Sequence, residues 1–221
     1  MIGTRVSAIA GIIFTVSFVA GFLMLGEAFG NFGDSDSTFA QYYKEDREFE
    51  ILGGYLLVVS SVAFVIFVAG VCAPALTEKT QAPSAVAGIV SAAVFATLVS
   101  AAAAAIVTIP ASRFFGGLFD DEGQRQLVSE IAALPQLGYV LLFLPGALFA
   151  SATLVCLSLV MRRMPGLAGW VAMSGFVAAA LLLASFFFMP LVALPLWVLA
   201  ASVALLRAPG RSADAVRGRT V

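Results

Sequence analysis

Residues 51–75 read ILGGYLLVVSSVAFVIFVAGVCAPA, 25 consecutive residues without an Asp, Glu, Lys or Arg. A bilayer's hydrocarbon core is about 30 Å thick and takes about 20 apolar residues of helix to cross, so this stretch is long enough to span one. Further runs share the property: roughly Val6–Gly26, Pro83–Ile109, Pro135–Met161, Gly166–Phe188 and Pro190–Leu206. The last, at about 17 residues, sits at the lower bound for a span. Every charge lies between or beyond these runs. The expected fold is an all-α polytopic membrane bundle forming one domain. It has six transmembrane helices over 6–26, 51–75, 83–109, 135–161, 166–188 and 190–206, followed by a basic cytoplasmic tail, 207–221, without ordered structure.

Composition agrees. The chain is 61% hydrophobic and 11% charged, with a mean hydropathy of +1.03, far from the balance of soluble domains. The first run follows a single Arg5 and ends without a small-x-small cleavage site, which predicts a retained helix rather than a cleaved leader.

The basic residues are sorted. Arg5, Lys79, Arg162, Arg163, Arg207, Arg211, Arg217 and Arg219 fall on one side of the alternating spans, and Lys44, Arg47, Arg113 and Arg125 on the other. Only Glu78 and Asp214 among the acidic residues join the first group. The positive-inside rule makes that side cytoplasmic, so the expectation is a multi-pass protein of the plasma (inner) membrane with both termini inside. The lipid bilayer is then the first partner. Nucleic acid is not expected, because no basic and aromatic residues cluster in a soluble module.

Loop lengths alternate, with long outer loops at 27–50 and 110–134 and short inner ones at 76–82 and 162–165. This predicts three outward-pointing hairpins. Short amphipathic helices are expected in both long loops; in the second, Leu127, Val128, Ile131 and Leu134 recur at helical spacing. A shift of 84 positions aligns Gly33 with Gly117, Asp36 with Asp120, Gly54-Tyr55 with Gly138-Tyr139, and Cys72 with Cys156. The pattern suggests a duplicated hairpin in parallel orientation. Tyr55 and Tyr139 read as interfacial belt residues.

Several residues are candidates for function. Ser84, Gly88, Ala92, Ala96, Ser100 and Ala104 follow one another at i+4, continuing to Thr108, and all are small. In lipid such stripes let helices approach closely, so this one predicts either a central packing position for span three or a groove for a partner helix or second copy. Pro145, near the middle of span four, and Pro195, one turn inside span six, each remove a backbone donor and are expected to bend their helices. The bends are read first as serving packing and Trp197 as a core residue; the alternative is that the three wall a cleft. Glu27, Asp46 and Glu50 border the first outer loop and could form a cation-attracting vestibule, although carboxylates at helix ends also mark the water boundary.

Other chemistry finds little support. Asp34, Asp36, Thr38 and Glu45 match part of a calcium loop, but Phe39 occupies the position that needs glycine. The chain has no histidine and two separated cysteines in a reducing setting, so no metal, no cofactor and no disulfide are expected. No nucleophile lies beside a base, so no catalytic residues are assigned and the chain is not expected to be an enzyme.

At Leu52-Gly-Gly-Tyr-Leu-Leu, Leu137-Gly-Tyr-Val-Leu-Leu and Leu194-Pro-Leu-Trp-Val-Leu the chain resembles uncharacterised multi-pass membrane proteins of high-GC actinobacteria. The resemblance implies a six-helix membrane protein and brings no activity or residue role. The first functional reading is a non-enzymatic accessory or assembly subunit. The second is a small transporter or a protein that binds lipid or another hydrophobic ligand.

Overall fold

The computed structural model describes residues 2–25, 48–114, 133–164, 167, 169–184 and 189–208. Among them all regular structure is helical. Helix α1 is Ile2–Met24 and α2 is Glu48–Cys72, which passes through a 3₁₀ turn, Ala73–Thr77, toward α3, Ala82–Phe114. Helix α4, Ala133–Leu141, joins α5, Ala147–Met161, through a π-helical turn at Leu142–Gly146. Helix α6 is Gly169–Leu183; a second 3₁₀ turn, Met189–Val192, leads into α7, Ala193–Arg207.

Four helical stretches are long and apolar enough to cross a membrane: Thr4–Met24, Glu48–Thr77, Ala82–Thr108 and Ala133–Met161. The last two helices are shorter than the sequence runs suggest, at 15 residues each. At 1.5 Å per residue each measures about 22 Å, and the 3₁₀ turn ahead of α7 adds about 8 Å to it.

The helices stand as a closed ring in chain order. α1 packs on α2, α2 on α3, α3 on α4 and α5, α5 on α6, α6 on α7, and α7 returns to α1. Each contact includes a glycine. At the α1–α2 crossing a Cβ on Gly21 would lie 2.7 Å from the Gly53 carbonyl oxygen, and one on Gly53 would lie 3.0 Å from that of Gly21. Gly54 faces Val107 of α3, and Gly138 of α4 would place a Cβ 2.8 Å from the Ala102 carbonyl oxygen. Gly175 of α6 lies against Ser158 of α5 and Trp197 of α7, and Gly11 of α1 against Ser202 of α7. Each pair of neighbours is therefore closer than side chains with a Cβ would allow.

The exterior of the bundle is apolar, unlike that of a soluble one, and a few hydroxyls lie within its apolar core. Val16, Leu23, Val62, Leu148, Val177, Leu183 and Leu196 point outward, each more than half exposed. Ser7, Thr15, Ser60, Ser61, Ser151, Thr153 and Ser202 are buried. Most of these hydroxyls bond to a carbonyl of their own helix, as Ser61 does to Leu57 and Ser202 to Val198.

Prolines behave in three ways. Pro145 converts its turn to π form, with the Ala147 N–H donating to the Leu142 carbonyl five residues back. Pro110 was expected to lie beyond span three, but α3 continues through it to Phe114, because proline's φ is already helical and only one bond is lost. The expected bend at Pro195 is corrected: α7 begins at Ala193, so Pro195 stands in the first turn, where its N–H would have no partner within the helix. The short helices predicted in 37–50 and 121–134 lie outside the described residues, apart from the start of α2 at Glu48 and the start of α4 at Ala133.

Replacing Gly21 by Val is expected to destabilise the bundle by about 1–3 kcal/mol through overpacking at the α1–α2 crossing. Leu23→Ala, two residues away on the outward face, should cost less than about 0.5 kcal/mol. Thermal unfolding in a mild detergent compares the two, and equal shifts would remove the close crossing from the account.

Candidate functional site

The stripe on α3 does not occupy one face. Each step of four residues advances about 400° around a helix of 3.6 residues per turn, so the stripe drifts by about 40° per step. Gly88, Ala92 and Ala96 are buried, Ser84 and Ser100 are half-buried, and Ala104 and Thr108 are exposed. Span three is therefore a stave of the ring and not its centre. Its buried side is Ala85, Gly88, Ala92, Phe95, Val99, Ala102 and Ile106, at the ordinary helical period.

Gly88 is where three helices converge. A Cβ there would lie 3.1 Å from the Cys156 Cβ of α5 and 3.6 Å from the Cys72 Sγ of α2. Both thiols are free. At the opposite end of α3, Gly54 of α2 and Gly138 of α4 press on the adjacent residues Val107 and Ile106. The positions paired by the 84-residue shift thus flank α3 on both sides. Their tyrosines differ, since Tyr55 is 64% exposed and Tyr139 is buried.

The outward face of α3 beyond Val90 carries Ala93, Thr97, Ala101, Ala104 and Thr108. Thr97 Oγ1 donates to the Ala93 carbonyl at 2.9 Å and Thr108 Oγ1 to that of Ala104 at 2.7 Å, so both hydroxyls turn back to the backbone. What remains outside is a shallow surface of methyl groups. The exposed bulky aliphatics of α3 lie toward its other end, at Val86 and Val90.

Inside the ring, an aromatic chain joins five elements: α1, α2, α3, α4 and the π turn. Phe14 meets Phe18 at 5.3 Å between ring centroids and Phe64 at 4.9 Å; Phe64 meets Phe95 at 5.1 Å. From Phe18 the chain runs through Phe22 and Phe143 to Tyr139. Such pairs add about 0.5–1.5 kcal/mol each beyond burial. The sequence signal for this chain was the i+4 spacing of Phe14, Phe18 and Phe22; the partners on other helices carried none.

The residues of the expected cleft belong to separate seams. Pro145 is half-buried in the π turn that packs on α3, whereas Pro195 and Trp197 are buried on α7 against α1 and α6. The Trp197 indole N–H donates to the Val171 carbonyl of α6 at 3.0 Å, and the Pro195 carbonyl, 3.2 Å from Thr15 Oγ1 of α1, shares that hydroxyl's single hydrogen with the Gly11 carbonyl at 3.0 Å. Ser151 Oγ of α5 donates to the Ala179 carbonyl of α6 at 2.9 Å. These bonds tie the two short helices to their neighbours.

Of the expected vestibule, Glu27 and Asp46 lie outside the described residues, as does the acidic segment 34–45. Glu50 is buried in the first turn of α2 rather than open at a mouth. Among the described residues no group of three His, Cys, Asp or Glu is placed to hold a metal ion.

Two serines about two turns apart on the same face of α5 give a test. Ser158 Oγ is fully buried without a hydrogen-bond partner among the described residues, while Ser151 bonds across to α6. Ser151→Ala should cost about 0.5–2 kcal/mol, and Ser158→Ala should be neutral or stabilising by up to about 1 kcal/mol because it removes an unsatisfied hydroxyl. Equal destabilisation in unfolding experiments would refute the distinction.

No protein family, curated protein or solved structure matches this chain.

Proposed function

We propose that the chain is a six-span protein of the plasma membrane, with both termini cytoplasmic, acting as a non-enzymatic accessory or assembly subunit. The apolar exterior supports the membrane setting: bulky aliphatic side chains cover the outside, and the serine and threonine hydroxyls are buried among apolar side chains within. The short α6 and α7 cross with help from the 3₁₀ turn at Met189–Val192 and from local thinning of the bilayer, which costs fractions of a kcal/mol per Å. The described charges, Glu78 beside Lys79 apart, support this orientation. Arg5, Lys79, Arg162, Arg163 and Arg207 lie at the ends of α1, α2, α5 and α7 that an up-and-down ring brings together, and Glu48 and Glu50 lie at the other.

The observation that carries the assembly role is the methyl face of α3. A helix that meets only lipid gains from bulky outward side chains, as the other helices of this bundle have. A face of Ala93, Thr97, Ala101, Ala104 and Thr108 instead lets a second helix approach closely and gain dispersion contacts that lipid tails supply less well. The aromatic chain along the inside further favours action through an outer surface over passage through the bundle. The alternative, a transporter or hydrophobe-binding cleft walled by Pro145, Pro195 and Trp197, has less support because those residues pack on different neighbours.

The test is purification from native membranes in lipid-preserving particles, with mass spectrometry of proteins and small molecules. A stoichiometric membrane partner, or a second copy, that is released by Ala101→Phe is the expected result. The isolated variant should unfold within about 0.5 kcal/mol of the parent, since the substituted position is exposed. A chain that purifies alone with one enriched lipid or solute would favour the alternative, and retention of the partner by the variant would move the interface off α3.

A further inference from the structure

Two short turns, distant in sequence, meet at the arginine-rich end of the bundle. Arg163, just past α5, donates from Nη1 to Thr80 Oγ1 at 3.2 Å, in the turn that leads into α3. The bond gathers Lys79, Arg162 and Arg163, all exposed, onto one small surface. The neighbouring carboxylate, Glu78, accepts a hydrogen bond from Gln81 Nε2 and is partly engaged within its own turn. The start of α3 at Ala82 adds the partial positive charge of a helix N-terminus. Within a turn or so of these residues in sequence, Leu76 of the 3₁₀ turn, Val86 of α3 and Leu159 of α5 face outward, each more than two-fifths exposed.

Cations at a helix end that also carries outward apolar side chains suit an amphiphile with an anionic head. We infer that this surface is a binding site for the phosphate group of an anionic phospholipid, with Arg163 and Lys79 as its main donors, Arg162 adding charge, and Thr80 positioning Arg163. An arginine held at one end by Thr80 has its remaining N–H groups free in direction to meet two phosphate oxygens, the geometry in which guanidinium binds best. The apolar flank of Leu76, Val86 and Leu159 distinguishes a lipid from free phosphate, because it offers the first acyl methylenes a surface that inorganic phosphate cannot use. The site rests on the membrane reading of the fold and adds a specific ligand class to it.

The full chain, purified in a neutral detergent, is titrated with phosphatidylglycerol, with phosphatidylcholine of the same acyl chains, and with inorganic phosphate, and retained lipid is counted by native mass spectrometry. The expected result is one phosphatidylglycerol retained in preference to phosphatidylcholine. Arg163→Gln and Lys79→Gln should each weaken retention about tenfold, the effect of losing one charge-assisted hydrogen bond. Thr80→Val, which leaves every charge in place, should weaken it severalfold. Arg5→Gln, an equal change of charge at the same end, should leave it unchanged. All four positions are exposed and their variants are expected to fold. Equal retention of the two lipids, or equal loss in Arg5→Gln and Arg163→Gln, would overturn the site. Displacement of the lipid by millimolar inorganic phosphate would reduce it to an anion site without lipid selectivity. If the chain were instead released from membranes by alkaline carbonate, the membrane reading itself would fall, a result the lipid titration does not mimic.

Discussion

Everything in this bundle depends on how close its helices come. Apolar surface alone does not drive helices together when the surroundings are as apolar as the side chains, so association must come from contact distance and from polar bonds. Gly21 and Gly53 put backbone against backbone between α1 and α2. Gly175 of α6 makes room instead for the side chains of Ser158 on α5 and Trp197 on α7, and Gly11 of α1 for that of Ser202 on α7. Interatomic dispersion is small per pair and falls steeply with distance, so a gap of even 0.5–1 Å forfeits about a quarter to a half of it. The glycines act on that steep part of the curve.

Contact distance does not serve all helices equally. The long α1, α2 and α3 have many turns over which to accumulate dispersion, and an aromatic chain packed between them. The short α6 and α7 have about four turns each. It is at these that the structure adds side-chain bonds across helices: Thr15 to Pro195, Trp197 to Val171, and Ser151 to Ala179. Interhelical bonds of this kind contribute about 0.6 kcal/mol on average and about 1.7 at most. Pro195 contributes in an unexpected way, since its carbonyl rather than its missing N–H is what joins α7 to α1.

The sequence makes the helices legible and the faces much less so. Runs without charge are a one-dimensional property, and α1, α2, α3 and the α4–α5 pair appear within a few residues of where those runs place them. Pro145 likewise announces a local distortion, because the loss of an N–H in mid-helix is independent of the neighbours. Which side of a helix is buried depends on the neighbours. The i+4 series from Ser84 to Thr108 looks continuous in sequence but winds around α3, and only the part from Gly88 to Ala96 is in the core. Tyr55 and Tyr139 occupy equivalent places in the sequence repeat and opposite environments in space. The aromatic chain was hidden for the same reason, since Phe64, Phe95 and Phe143 acquire their meaning only across helix contacts. The surface of Lys79, Thr80, Arg162 and Arg163 spans 83 positions of sequence between its hydrogen-bonded members and exists only because two turns meet.

The flanking of α3 explains why its two sides differ. Gly54 and Gly138 close on Val107 and Ile106 at one end, and Cys72 and Cys156 close on Gly88 at the other, so α2 and the α4–α5 pair grip α3 along its inward side. A helix gripped from two sides has already gained its packing energy inward and needs nothing from its outward residues. Those positions are then free to carry large aliphatics, as Val86 and Val90 do, without cost to the bundle. That Ala93, Thr97, Ala101, Ala104 and Thr108 carry methyl groups there instead, with both threonine hydroxyls turned back to the helix, is a choice the ring does not require. An unneeded loss of outward apolar area makes physical sense where a second helix comes close enough to use the space.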